Sequence, residues 1–284
     1  MVTTKKINSA CLVIIGNEIL SGRTQDKNIN HIAKELFICG ISLQLVVVIP
    51  DQKKIIISQI RKLKNQYDFV ITTGGIGPTH DDITSESISL AVKKKYKLHN
   101  GAYKELKKYY RKIKSELTDA RMKMAYMPEG SKLILNKVSG APGFKIENIY
   151  VFAGIPSIVQ AMMKEFKKMI KIKNKFYSTT ISTKLFESKI AHLLVQAERK
   201  YKNISIGSYP IFDGRPRGVE VVINSQLNKQ GVTNAKKFIG DSEIVSVEDR
   251  KDLRKRLQGR VSGGVFLTTI QKFREDIKLL SDRN

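Results

Sequence analysis

The sequence predicts an α/β protein: a parallel or mostly parallel sheet with helices on both faces, followed by a small α+β domain. Three observations carry this. Apolar runs of strand length at 10–16, 43–49 and 68–73 alternate with segments of helical period. The runs are nearly uninterrupted, as strands covered on both faces require. Beyond the lysine-rich stretch KKMIKIKNK (167–175) the order changes to β-α-β-β-α.

Taken in order, Ala10 to Gly16 reads as the first strand. NINHIAKELFICG (28–40) then puts Ile29, Ile32, Ala33, Leu36 and Phe37 on one helical face, with Gly40 as its stop. Residues 43–49 form a strand expected to be buried on both faces, 52–66 a helix and 68–73 a third buried strand. Thr84 is the expected cap of a helix running to about Lys95. Residues 100–126 read as mostly helical and solvated. Short strands around SGAPGF (139–144) lead to the strand and turn YVFAGIP (150–156), and a helix carrying Ile158, Val159, Met162 and Met163 follows. The second domain is expected as a strand (179–186), a helix (188–201), two strands (204–212 and 218–224) and a helix (229–239). The expected limits are 1–172, 173–249 and an unassigned charged tail, 250–284.

Composition narrows the classes. Hydrophobic residues make up 41% of 284, enough for a substantial core. No apolar run approaches the ~20 residues that cross a bilayer, so no membrane role is expected. The N-terminal apolar strand, about six residues long, is shorter than a secretory signal needs, and a cytoplasmic location is expected. Cys11 and Cys39 have no metal or CxxC spacing and read as buried free thiols. The formal charge of +25 is spread through the chain with no nucleic-acid motif, so nucleic acid is not an expected partner; the charge would still draw anionic nucleotides toward a cleft.

The chemistry concentrates at TTGGIGPTHDD (72–82). Glycines after a strand let the backbone approach a ligand, and the following helix N-terminus favours an oxyanion. Adjacent Asp81 and Asp82 would repel a phosphate unless a divalent cation lay between them; the alternative is that one of them caps the helix near Thr84. Three further strand ends converge here: IGNEILSG (15–22) with Gly16, Asn17 and Glu18, IPDQ (49–52) with Asp51, and FAGIPS (152–157) with Gly154 and Ser157. Asp51 has a helix-capping alternative. Arg23 and Lys27 are secondary candidates for phosphate, and His80 is the one histidine weighed for function. In GSYPIFDG (207–214), Tyr209 and Phe212 either pack their own turn or offer stacking surfaces, with Asp213 beside them.

IGNEILSGRTQDKNINHIAKEL, VVVIPDQ, TTGGIGPTHDDIT, SGAPGF and FAGIPSIVQAM occur in the order found in the molybdopterin-binding-like (MoCF) domain family. They resemble most the amino-terminal region of competence/damage-inducible protein A (CinA) and its stand-alone forms. GPTHDD is also similar to the extra domain of animal FAD synthases, and ESKIAHLL and ISIGSYPIFDG resemble the second module. The resemblance implies a MoaB/Mog-like sheet and a pyrophosphatase that releases AMP from ADP-ribose or FAD with cobalt, nickel or magnesium. It implies that Gly74, Gly75, Gly77, Pro78 and Thr79 line the phosphate site, together with Gly16, Asn17, Gly154 and Ser157. Asp81 and Asp82 would serve metal and water, Asp51 would assist, and Glu18 would be a further metal ligand. Position 17 departs from the family pattern, being Asn where an acidic or small polar residue is usual. The implied alternatives are a molybdopterin-binding or transfer protein of cofactor biosynthesis and a noncatalytic nucleotide sensor. The implied partner is a nucleotide or pterin, and the implied assembly a homo-oligomer.

Overall fold

A computed structural model describes residues 8–170 and 176–242, except 213, 215, 226 and 227, together with 245–246 and 266–267. The chain divides into two compact units, Met1–Asn174 and Lys175–Asn284.

The first unit opens β1 (Asn8–Ile15), α1 (Asn17–Leu20), α2 (Asn28–Ile38), β2 (Ile41–Ile49), α3 (Lys53–Leu63), β3 (Phe69–Thr73) and α4 (Thr84–Ala91). Next come β4 (Tyr96–Leu98), α5 (Asn100–Lys112), α6 (Asp119–Met122), a 3-10 turn (Lys123–Ala125) and β5 (Tyr126–Pro128). It closes with β6 (Lys132–Ile134), β7 (Gly143–Ile146), β8 (Ile149–Phe152) and α7 (Pro156–Met169). The main sheet runs β2-β1-β3-β8-β7-β6. Its first four strands are parallel, whereas β7 and β6 join antiparallel, so the sheet is mostly parallel.

The apolar run of β1 follows from its two covered faces. Side chains alternate across a strand, so Cys11, Val13 and Ile15 enter one core with α3, α4 and α5. Ala10, Leu12 and Ile14 enter a second core with α2 and α7. In the second core Phe166 of α7 is fully buried, and its ring meets Phe69, Tyr150 and Phe152 edge-on. Phe166→Ala is expected to cost about 3–5 kcal/mol, because the cavity left among three rings collapses poorly; urea denaturation measures it.

Three expectations are corrected. β2 is an edge strand that reaches both cores, Leu45 and Val47 packing on one and Leu43 and Val48 on the other, but these are only partly buried and Val46 is exposed, so the strand is not fully buried as expected. Thr84 is the first helical residue rather than the cap of α4; Ile83 holds that position without a side-chain bond, and the helix stops at Ala91. Residues 100–126 are not one solvated helix: α5 buries Ala102 and Leu106, and Tyr126–Pro128 pairs with Tyr96–Leu98 in a small antiparallel sheet.

The second unit contains β9 (Tyr177–Thr183), α8 (Glu187–Lys200), β10 (Ser205–Phe212), β11 (Pro216–Ser225) and α9 (Lys229–Ser242). Its antiparallel sheet, β10-β11-β9, packs Ile181, Val219, Val221 and Ile223 against Ile190 and Ala197 of α8 and Val232, Ala235 and Ile239 of α9. Short strands β12 (Val245–Ser246) and β13 (Phe266–Leu267) pair in parallel. The remainder of 250–284 lies outside the described residues. Among the described residues no helix is long and apolar enough to cross a membrane. Both cysteines are free, and burial pushes the Cys11 thiol up to about 12, which leaves it inert.

Candidate functional site

The chain leaves β1 toward β2 on one side, while β3 lies on the other, so the strand order reverses between β1 and β3. In open α/β sheets the crevice beyond the strand ends at such a point is the usual ligand site. Here a cavity of about 660 Å³ occupies it, lined by residues that follow β1, β2, β3 and β8.

The glycine loop is shaped by close approach. Gly74 has φ +98°, and a Cβ there would lie 2.1 Å from the Ile15 carbonyl oxygen at the end of β1. Gly75 has φ +68°, and its Cβ would meet the buried Thr84 hydroxyl at 2.1 Å. Both positions therefore exclude a side chain on conformation and on space. Asp82 closes the loop: its Oδ2 accepts from the Thr79 N–H at 2.9 Å and from the Thr79 hydroxyl at 2.5 Å. From outside, Lys123 donates to the Thr79 carbonyl at 2.5 Å. Neither aspartate caps α4 through its side chain.

Asp51 does not cap α3 either; its Oδ2 accepts from the main-chain N–H of Asn17 at 2.8 Å, tying the end of β2 to the loop after β1. Burial pushes the Asp51 carboxyl above the usual range. The Asn17 N–H opposes this, and the negative charges of Glu18, Asp81 and Asp82 reinforce it. Asp81 moves the other way, lowered by the nearby Thr79 side chain, whose own hydrogen bond goes to Asp82, and by its own backbone N–H, helped by the charges of His80 and Lys123.

The sequence-derived residues Gly16, Glu18, Asp51, Gly74, Gly75, Gly77, Pro78, Thr79, Asp81, Asp82 and Gly154 are brought together around the cavity, as is Lys27. Asn17, Arg23, His80 and Ser157 are not among its lining residues; Asn17 contributes through its backbone, and Ser157 is exposed on the first turn of α7. Residues missed from the sequence are Asn28, whose amide donates to the Gly154 carbonyl at 2.7 Å, and the apolar wall of Tyr110 and Met124. The spacing of Ala102, Leu106 and Tyr110 would have shown that α5 turns an apolar stripe inward. In the second unit Tyr209 and Phe212 are 56% and 69% exposed, and the Tyr209 ring lies over Gly207 of its own segment; Asp213 lies outside the described residues.

The lining carries Glu18, Asp26, Asp51, Asp81 and Asp82 against a single cation, Lys27. The cavity is thus acidic in a chain of formal charge +25. Asp26 is engaged as a cap, its Oδ1 accepting from the N–H groups of Asn28 and Ile29. The other four carboxylates are hard oxygen donors of the kind that hold magnesium-type cations. Among the described residues no three acidic, histidine or cysteine groups converge as a ready metal shell. The donors fit in kind a cation that keeps most of its waters or takes phosphate oxygens as further ligands.

Lys123→Met is expected to change stability by less than about 1 kcal/mol, since the bond it loses is exposed. It should weaken ligand binding several-fold, because the loop carbonyl and Asp81 lose their neighbouring charge. Calorimetric titration set beside a thermal melt separates the two effects.

Comparison with known proteins agrees with the fold. Residues 11–172 match the family model described as "Probable molybdopterin binding domain", and 175–245 match "FAD synthase, middle domain". A protein of Archaeoglobus fulgidus is 35% identical over 201 residues, covering 70% of this chain and 84% of the relative. One from Sulfurisphaera tokodaii is 36% identical over 208 residues, 70% and 79% of the two chains. The crystal structure of the protein CinA with unknown function from Thermoplasma acidophilum has 31% identity and a TM-score of 0.54, and covers 58% of this chain and 100% of that one. With a family match over more than half its length, the chain belongs to the molybdopterin-binding domain family and is CinA-like within it.

Proposed function

We propose that the first unit is a divalent-metal-dependent pyrophosphatase that splits nucleotide diphosphate compounds of the ADP-ribose or FAD type into AMP and a second phosphorylated product. The acidic cavity at the sheet's switch point is the observation that carries this reading. Glu18, Asp51, Asp81 and Asp82 line the same cavity as a glycine loop suited to an oxyanion, a combination that suits a phosphate ester only when a cation comes with it. The second unit's similarity to the FAD synthase middle domain supports a nucleotide substrate.

In this reading Gly75 and Gly77 present backbone N–H groups to the phosphoryl oxygens, and Asp82 keeps the loop in shape through Thr79. Glu18, Asp81 and Asp82 would hold the cation, cobalt, nickel or magnesium, largely through its bound waters; such a cation neutralises phosphoryl charge and acidifies water. Asp51 is the base: Oδ2 is fixed by Asn17, and a carboxyl raised by burial is well suited to accept the water proton on Oδ1. The P–O bond of the bridge breaks as the water oxygen joins phosphorus, and the departing phosphate carries the bridging oxygen away. Tyr110 and Met124 offer an apolar wall to the base or flavin.

The test is AMP release from ADP-ribose and FAD with cobalt, nickel or magnesium, with Asp81→Ala and Asp82→Ala alongside. AMP formed by the wild type and lost in both variants supports the reading. A second reading, pterin binding without hydrolysis, draws on the family model itself. It would be favoured by a folded protein that releases no AMP under any of these conditions yet binds a pterin.

A further inference from the structure

We infer that the outer face of α5 is a docking strip for the phosphate backbone of a nucleic-acid duplex, separate from the cavity. Lys104, Lys107, Lys108, Arg111 and Lys112 line one shallow surface depression, and all five are exposed. Their spacing, i, i+3, i+4, i+7 and i+8, puts them on a single face of one helix. Read along the chain, these cations look scattered among other residues; the helix gathers them into a stripe.

The stripe has no paired counter-charge among the described residues, although Glu105 lies on the same helix. Among the described residues no carboxylate lies within ion-pair distance of any of the five, while Lys53, Lys64, Lys97, Lys167 and Lys168 each have one. Like charges three and four positions apart on a helix repel, each pair costing roughly 0.2–0.5 kcal/mol. The helix dipole offsets this for Arg111 and Lys112 in the last turn, but not for Lys104, Lys107 and Lys108. The opposite face is committed to the core through Ala102 and Leu106.

The chemistry of the strip selects its partner. Anionic headgroups attract such a stripe by charge, but firm membrane binding adds inserted apolar side chains, and the apolar side of α5 is buried. A protein partner is held by aromatic or apolar anchors, and this depression is lined by cations alone. A stripe spanning about 12 Å of helix, with side chains about 5–6 Å apart, matches a regular row of phosphates. No aromatic lines it, so bases would not be read by stacking and binding would be independent of sequence.

The test is fluorescence anisotropy of the full chain with a labelled duplex DNA over a series of potassium chloride concentrations. Lys107→Gln, Lys108→Gln and Arg111→Gln are combined in one variant. A second variant combines Lys189→Gln, Lys229→Gln and Lys237→Gln, which removes the same charge from the second unit. Since each phosphate contact contributes about −0.9 to the salt slope, the α5 variant should lose at least tenfold in affinity and flatten the slope by about 2–3. The second variant should stay within about threefold of the wild type. Equal loss in both variants, or loss in neither, overturns the inference, as does equal binding of a polyglutamate peptide or anionic vesicles. If the triple variant fails to melt cooperatively, Lys107→Gln alone should still flatten the slope by about 0.9, and an unchanged slope is contrary. Hydrolysis in the cavity is expected to be the same in all variants.

Discussion

Replacing Asp51 with asparagine is expected to cut AMP release by about 10²–10⁴-fold, the range of a lost general base, while metal-free protein melts higher than the wild type. The two effects have one cause. Burial and the charges of Glu18, Asp81 and Asp82 raise the folded-state carboxyl above its unfolded value. A carboxyl shifted upward binds its proton more tightly in the folded state, so its ionised form costs stability at neutral pH. That cost is relieved as pH falls through the folded pKa toward the unfolded one. Asparagine removes the charge but keeps an oxygen to accept from the Asn17 N–H. The melting advantage should therefore be largest at neutral pH and close in mild acid. Scanning calorimetry in chelator, run beside the AMP assay, reads both quantities. A variant that melts lower at neutral pH would show that Asp51 serves the fold and not the site.

Gly74→Ala is expected to have the largest effect on the first unit of any single-methyl change. The φ of +98° alone costs an alanine roughly 1–2 kcal/mol. The new Cβ would also sit 2.1 Å from the Ile15 carbonyl oxygen, a backbone atom that cannot rotate away. Moving β1 and β3 apart to admit it adds about 1–3 kcal/mol, for a total of about 2–5 kcal/mol in urea denaturation. Ligand binding should be lost as well, because the switch point between these two strands is the cavity itself. Gly22, also at positive φ but with nothing within 4 Å of its Cβ position, is the comparison: Gly22→Ala should cost only the backbone part.

Much of this was legible in the chain because the governing patterns are local. Apolar runs and helical spacing gave the order of the parallel strands and their covering helices, and the glycine loop marked the strand end that bears the cavity. What was not legible depends on neighbours. β2 carries an apolar run as dense as that of β1, yet among the described residues no strand pairs with its outer edge, and Val46 is exposed. The residues of β4 and β5 are too few to show a period. Asp51 and Asp82 both looked able to cap helices, and only the folded chain directs one to Asn17 and the other to Thr79. Tyr110 and Met124 were hidden in a segment whose charge reads as solvated, since the cations lie on one side of α5 and the cavity wall on the other.

The central claim is that this acidic cavity takes a phosphate ester only together with a divalent cation. Calorimetric titration of AMP, a ligand that does not turn over, tests it most directly when run in chelator and again with magnesium or cobalt. Coupling between cation and nucleotide should tighten AMP binding by at least about tenfold, worth roughly 1.4 kcal/mol, and the nucleotide should tighten the cation equally. AMP binding of equal strength with and without the cation would contradict the claim.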